Sequence, residues 1–597
     1  MTSSHRLLPA TIALISAISL GASPARPVRH TATLPDGSTV GYRMVGDERF
    51  HYLVTDDGYP LVADGATLCF AETGDNGRMV SSGVAAADPQ FRSPATLTFL
   101  KNLDSNAVIE KAALSAEVSP IRAISPKYAP SRAPESMSTT TFPVTGSPRG
   151  LIILAEYTDV KFSTPMPQQY FSDMLNLEGF DRDRATGSAR DYFIASSAGV
   201  FTPQFDVVGP VTLPHTQAYY GRNEPYDDAN AAYMIPDACD ILAAQGFDFS
   251  IYDCDNDGEI DNVYLIYAGR GESSGNLEDI NTVWPHSWKV GDMNRYYNGC
   301  LLNHYACSNE IEGDKPDGIG TFCHEFSHVM GLPDLYYTGH SLLTYLTPDT
   351  WSVLDIGCYL NDSRTPPLYS SFERMSLGWL KPEVIDSPGE YALEPLADTN
   401  TAYLVKTDSD DEFFLFENRR KEGWDSYLRG EGMLIWHIDY DKDIWFSNTV
   451  NNTRSHQHVD LVEAISRTSP SASPSDPFPG ASNVTEYTAD TAPPSPRFIS
   501  WSHNDPGYPL TNIRTDGRLI RFMAGNSDGS AIDGIMSPQS VTVRGDKAII
   551  ISGSDLPASV YTIAGTLAYH GESRRIILPT GLYIVKVGNH TTKVALH

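Results

Sequence analysis

From Arg149 onward the chain carries uninterrupted apolar runs, Gly150-Leu151-Ile152-Ile153-Leu154-Ala155 and Val263-Tyr264-Leu265-Ile266-Tyr267, of the kind that strands covered on both faces require. Helical spacing appears around Asp191-Tyr192-Phe193, from Ala229 to Gln245, and over 319–330, where Gly331 stops the pattern. This alternation predicts a mixed α/β body over 149–385. Before it, residues 31–100 alternate apolar and polar positions between turns such as Pro35-Asp36-Gly37 and Asp56-Asp57-Gly58, which predicts a small β-rich module within 26–102. Residues 103–148 lose periodicity and fill with Ser, Pro, Ala and Thr, and read as a linker. Beyond 385 the pattern turns to strands, among them Glu412-Phe413-Phe414-Leu415-Phe416 and Met433-Leu434-Ile435-Trp436-His437-Ile438, giving a β-rich domain over 386–530 with a Pro/Ser-rich interruption at 468–498. Short strands over 531–597, ending in Gly581-Leu582-Tyr583-Ile584-Val585-Lys586-Val587, form a β-sandwich-like candidate.

Length, charge and cysteines narrow this picture. A chain of 597 residues exceeds what one hydrophobic core fills, so several folded units are expected. Residues 1–25 begin with His5 and Arg6, run apolar from Ala10 to Leu20, and end in Gly21-Ala22-Ser23-Pro24-Ala25. That is the layout of a secretory signal peptide, and it places the mature protein outside the cytoplasm, either released or attached to the outer cell surface. The net charge of -31 argues against a nucleic-acid partner and suits solubility or divalent cations. Seven cysteines are few and odd in number for an exported chain, so no disulfide framework is expected. Cys300 and Cys307 are near enough in sequence to close a local loop, and Cys323 reads equally well as a small buried helix residue.

The densest chemistry lies in His324-Glu325-Phe326-Ser327-His328. Two histidines four apart share one face of a helix and can bind one Zn²⁺, which sets Glu325 beside the metal as general base. Gly331 lets the chain turn sharply, and Asp334, ten residues after His324, is the expected third ligand. Glu373, in the helical segment Ser370-Ser371-Phe372-Glu373-Arg374, is its rival, because a glutamate from a second helix is another way to complete such a site. A second constellation places Asp253, Asp255, Asp257, Glu259 and Asp261 at alternate positions around Gly258. Such oxygen-rich loops suit Ca²⁺, although Tyr264 stands where an EF-hand needs its bidentate acid. Structural Ca²⁺ is the expected reading, and a solvated acidic turn the alternative. His286 and His437 sit among aromatics and read as core residues.

The segment from His324 to Tyr336, HEFSHVMGLPDLY, resembles the immune-inhibitor-A-like family of secreted bacterial metallopeptidases. So do DCDNDGEIDNVYLIYAGRGE at 253–272, TPPLYSSFERMSLGWLKP at 365–382, and the block from Trp424 through Met433-Leu434-Ile435-Trp436-His437-Ile438-Asp439. The resemblance implies an α+β zincin-type catalytic domain with an active-site cleft, protein or peptide substrates, and hydrolysis of internal peptide bonds. Leu34-Pro35-Asp36-Gly37 and Gly46-Asp47-Glu48 resemble family propeptides, which implies a zymogen. Val560-Tyr561-Thr562-Ile563-Ala564-Gly565 and the strand at 581–587 are similar to C-terminal sorting domains of the type IX secretion route, which implies outer-membrane secretion machinery as a partner. The chain departs from the family in the turn below the zinc, where Leu354 replaces the usual methionine and Ile356 the usual tyrosine. Those departures motivate the alternative of a catalytically silent, surface-attached binding protein; intact His324, Glu325 and His328 favour the enzyme.

Overall fold

The two long apolar runs become neighbouring parallel strands in the computed structural model, which describes residues 21–116, 142–224, 227–339, 346–525, 542–545, 548–552, 557–563, 565–573, 575–587 and 590–596. The chain divides into two compact units, Met1–Asn526 and Ser527–His597. The first twenty residues of the expected leader, and 117–141 of the expected linker, lie outside the described residues.

A seven-stranded sheet organises the first unit. Its main path runs β1 (Gly21–Ala22), β5 (His286–Lys289), β6 (His304–Glu312), β4 (Val263–Arg270), β2 (Arg149–Glu156) and β3 (Gln204–Thr212), with Lys315–Pro316 hairpinned onto β6. Strands β3, β2, β4 and β6 are parallel; β5 runs antiparallel to β6, and β1 antiparallel to β5. Both faces of the centre are covered, which is why its strands read as continuous apolar runs. Leu151, Ile153, Val263 and Leu265 pack towards helix α1 (Met234–Ala244). Their alternating neighbours Ile152, Leu154, Tyr264 and Ile266 pack against Phe322 and Phe326 of helix α2 (Ile319–Val329). Helix α2 is thereby held under the sheet along most of its length, and Gly331, at φ 91, redirects the chain beyond it.

Residues 21–25, expected as the end of the leader, belong to this folded body, and Ala25 donates its N–H to Gly46 O at 2.9 Å. The β-rich module is an antiparallel meander of six strands from His30–Thr33 to Met79–Ala85. The linker expectation fails at its start, because Ser105–Ser115 is an α-helix capped by the Asp104 side chain. Composition misled here: Ile109 and Ala112 find apolar partners in Phe50, Tyr52 and Val54 of the meander, a tertiary gain that outweighs weak helical periodicity.

The expected boundary at 385 does not separate cores. Strands Tyr403–Lys406, Glu412–Arg419 and Gly432–Asp439 belong to a five-stranded sheet, one face of which (Phe413, Leu415, Leu434, Trp436, Ile438) joins the same cluster as Phe322, Phe326 and Leu354. Its opposite face, with Phe414, Phe416 and Ile435, packs on a three-stranded sheet of Gly389–Leu393, Leu510–Asp516 and Leu519–Ala524. The second unit has its own core, including Ile549, Val560, Val585 and Val594, between antiparallel sheets of three and four strands. None of the seven cysteines forms a disulfide, so the Cys300–Cys307 loop is not closed by one. Among the described residues no helix is long and apolar enough to cross a membrane.

Candidate metal centre and catalytic cleft

Helix α2 and the loop that follows it bring three donors to one point. His324 Nε2 and His328 Nε2 lie 3.2 Å apart, and Asp334 Oδ1 lies 3.1 and 3.2 Å from them. A tetrahedral ion with ligand bonds of about 2.0–2.1 Å requires donor separations of roughly 3.3 Å, so the triangle fits zinc. Each imidazole is fixed through its other nitrogen: His324 Nδ1 meets Val353 O and His328 Nδ1 meets Leu332 O, both at 2.8 Å. These bonds aim the two Nε2 lone pairs inward. Burial disfavours an ionised Asp334, but His328 and then His324 more than offset that and hold its carboxyl well below the usual range. Its second oxygen is held by Asn448, on a loop beyond the five-stranded sheet's fourth strand.

The rival carboxylate stands apart. Glu373, in helix α3 (Ser371–Ser376), is buried in a capping box with Ser370 and accepts the Ser352 hydroxyl, so its oxygens are committed to structure. Leu354, at the methionine position of the turn, is fully buried in the core below α2 and donates no ligand. Leucine fills nearly the same volume as methionine, and the apolar floor is kept. His286 and His437 are core residues: the first bridges Trp284 O and Tyr305 Oη, and the second pairs with Glu412 and stacks on Phe414.

Glu325 is completely buried beside the donor triangle, and burial, moderated by His324 and by bonds from Ser23, pushes its carboxyl up to about 8. Its Oε1 accepts both the Ser23 N–H and the Ser23 hydroxyl, each at 2.7 Å, and its Oε2 is buried without a hydrogen-bond partner among the described residues. Ser23 belongs to the segment that extends β1 along the edge of the sheet. Gly21 and Ala22 pair with Ser287 and His286, Trp284 Nε1 donates to Ser23 O at 2.9 Å, and Tyr359 Oη donates to Pro24 O at 2.5 Å. The backbone at Gly21 presses so closely on the His328 ring that a Cβ there would lie 2.3 Å from it. The cleft is therefore filled by the chain's own residues 21–26.

In the acidic loop the structure gathers Asp253, Asp255 and Asp261, with donor oxygens within 4.8 Å of one another. Asp257 and Glu259 are not in that group. The Asp257 carboxylate accepts the Glu259 N–H, and Glu259 accepts from Asn303 Nδ2 at 2.8 Å. Burial, with smaller contributions from the neighbouring Asp255 and Asp253 carboxylates, raises Asp261 to about 7.

Sequence reasoning missed Asn448, Trp284, Tyr359 and the cleft segment. Asn448 lies 114 residues from its partner Asp334, and no local pattern marks it. Residues 21–25 do carry a pattern, but it is the small-residue pattern expected at the end of a leader.

Residues 154–382 match the model of the immune inhibitor A peptidase M6 catalytic domain. The chain is 26% identical over 252 residues to Immune inhibitor A of Bacillus thuringiensis subsp. alesti, covering 35% of this chain and 36% of that protein. It is 24% identical over 255 residues to the Pre-pro-metalloprotease PrtV of Vibrio cholerae serotype O1 (strain M66-2), covering 37% of this chain and 27% of that one. The match thus spans only 36% and 27% of the lengths of these two relatives. The matched region includes the donor triangle, Glu325 and the acidic loop.

Proposed function

We propose that this chain, whose residues 154–382 match a peptidase M6 catalytic domain, is a secreted zinc-dependent endopeptidase made as a zymogen. The observation that carries the reading is the convergence of His324, His328 and Asp334 beside a buried glutamate in a cleft already occupied by an extended peptide. A zinc ion held by those three residues would supply Lewis acidity to a peptide carbonyl and to a water molecule. Glu325 takes the proton of the attacking water and passes it to the departing amine. The Ser23 N–H stands where that amine would be, already donating to Glu325 Oε1. Trp284 and Tyr359 bind backbone atoms of the bound chain, and β5 offers its edge for strand addition, so recognition can rest largely on main-chain bonds.

The same occupancy supports latency, since residues 21–26 cover Glu325 and press on His328. This requires the leader to be removed before Ser23, and N-terminal sequencing of the secreted precursor checks it; a first residue beyond Ser23 would contradict the latency reading. The acidic loop is assigned a structural Ca²⁺. The second unit is assigned to export and surface attachment through outer-membrane machinery, and deletion of 531–597 should retain the protein inside the cell. The enzyme reading is tested by digesting a peptide library with the processed secreted protein, with and without a zinc chelator. Chelator-sensitive internal cleavage is expected. Zinc-loaded, processed protein that cleaves nothing would favour the alternative, a silent binding protein.

A further inference from the structure

Arg26 follows Ser23 by three residues and turns off the cleft into a pocket that the catalytic reading does not use. Arg26 is 7% exposed. Nη2 donates to Asp317 Oδ1 at 2.8 Å and to Ser363 Oγ at 2.7 Å, and Nε lies 3.1 Å from Glu312 Oε2. The guanidinium carbon sits 4.6 Å from the centre of the Tyr359 ring, the same tyrosine that holds Pro24 O. Asp317 and Ser363 are buried, and Asp317 immediately precedes the α2 N-cap Gly318, where it is also held by Thr321 and by the Gly318 N–H. Glu312 ends β6, in the strand next to β5. The pocket is therefore built from the frame of the catalytic body and not from the segment that fills it.

Its chemistry is selective. Two carboxylates confront one cation, and removing the cation would leave the buried Asp317 facing the part-buried Glu312 with no counter-charge, a loss larger than that of an exposed surface pair. Burial already pushes Glu312 up to about 7 with Arg26 present. The planar fork matches two oxygens on one nitrogen, a carboxylate at Nε and an aromatic face, which suits arginine better than lysine. A second feature points to a chain bound in the orientation of a substrate. The segment runs antiparallel along the edge strand β5 and sets an amide nitrogen on Glu325, so Arg26 occupies the place of a residue on the leaving-amine side of a cleaved chain.

We propose that the pocket of Glu312, Asp317, Ser363 and Tyr359 is a specificity subsite of the cleft. It receives an arginine three residues after the residue whose amide meets Glu325, and Arg26 fills it in the precursor. The inference rests on the cleft being a peptide-binding site, as proposed above, and selects among peptides those with a basic residue at that position.

The test uses the full-length, zinc-loaded chain and reads binding, so that it does not depend on turnover. Hydrogen exchange at the Ser23, Ala25 and Arg26 amides is measured in the parent, Arg26→Lys, Arg26→Ala and Asp317→Asn. Faster exchange in Arg26→Ala and Asp317→Asn, with Arg26→Lys between them and the parent, is expected. Unchanged exchange in Arg26→Ala would show that the pocket contributes nothing to holding the segment and would overturn the proposal. A labelled peptide Gly-Ala-Ser-Pro-Ala-Arg is then titrated into the Arg26→Ala chain carrying Glu325→Gln, alongside the same peptide ending in Ala, each having to displace the same resident segment loosened by the loss of Arg26. The arginine peptide should bind at least about 30-fold more tightly, as for a buried charge pair truncated on one side. Asp317→Asn added to that background should erase most of the difference while leaving the alanine peptide unchanged. Equal binding of the two peptides overturns the subsite. Failure of the enzyme reading would appear differently, as preferential binding of the arginine peptide by a processed protein that cleaves nothing.

Discussion

Asn448 grips Asp334 at two points: its Oδ1 accepts the Asp334 N–H at 2.7 Å, and its Nδ2 donates to Asp334 Oδ2 at 2.5 Å. The residue that orients the proposed third zinc ligand thus comes from the β-rich part of the chain, beyond the region that matches the catalytic-domain model. Neighbouring Asn451 and Asn452 tie down Leu335 and Thr338 of the same loop.

Asn448→Ala should weaken zinc binding by about 10–100-fold, the range for losing a support behind a ligand. Asp334→Ala should weaken it far more, and Glu373→Ala should leave affinity near the parent while lowering stability. Competition with a chelator of known affinity measures all three. Zinc release by Glu373→Ala with retention by Asp334→Ala would reverse the assignment of ligands.

Glu325→Gln should keep zinc and lose about 10²–10⁴-fold of the peptidase rate, because an amide of nearly the same shape cannot take the water's proton. Metal content and turnover are measured on the same purified sample. Parent-level turnover in a fully loaded variant would remove Glu325 from the mechanism.

Withdrawing Ca²⁺ should lower the melting temperature, since an ion that binds only the folded loop stabilises it by about 2.7 kcal/mol when present at 100 times its Kd. Asp255→Ala and Asp261→Ala should each abolish that Ca²⁺ dependence. Superimposable melting curves with and without Ca²⁺ would assign the loop as an acidic turn alone.

His51 of the β-rich module pairs with Glu272 of the catalytic body at 3.1 Å and stacks on Trp284, the residue that holds Ser23. Burial opposes its protonation, but the Glu272 carboxylate outweighs burial and holds the imidazole up to about 10. A pKa raised on folding stabilises the folded precursor fully below the unfolded value of about 6.5, and that contribution fades as pH rises through the folded value. The stability gap between the parent and His51→Gln should therefore be widest below about pH 6.5 and narrow towards pH 10. Denaturant midpoints across that range measure it, and a gap that widens with pH would contradict the pairing.

The sequence by itself determined the helix and sheet of the catalytic body. Runs such as 150–155 and 263–267 have only one way to bury both faces, and the spacing of His324 and His328 forces both imidazoles to one side of α2. It also singled out Asp334 and Glu373 as the two candidate carboxylates, one in the loop after the histidine helix and one in a second helical segment. What separates their surroundings is tertiary. Glu373 is consumed by its own capping box and Ser352, whereas Asp334 is turned inward by Asn448 across 114 residues of chain. The boundary at 385 was drawn where the pattern changes from helix to strand, but side chains from both sides, Phe326 and Leu415 among them, fill one core. The last piece was hidden for a physical reason. Gly21, Ser23 and Ala25 are small enough to end a leader peptide and also small enough to lie flat against a sheet edge, and the bonds from Ser23 to Glu325 and from Arg26 to Asp317 join residues about 300 positions apart that no local pattern connects.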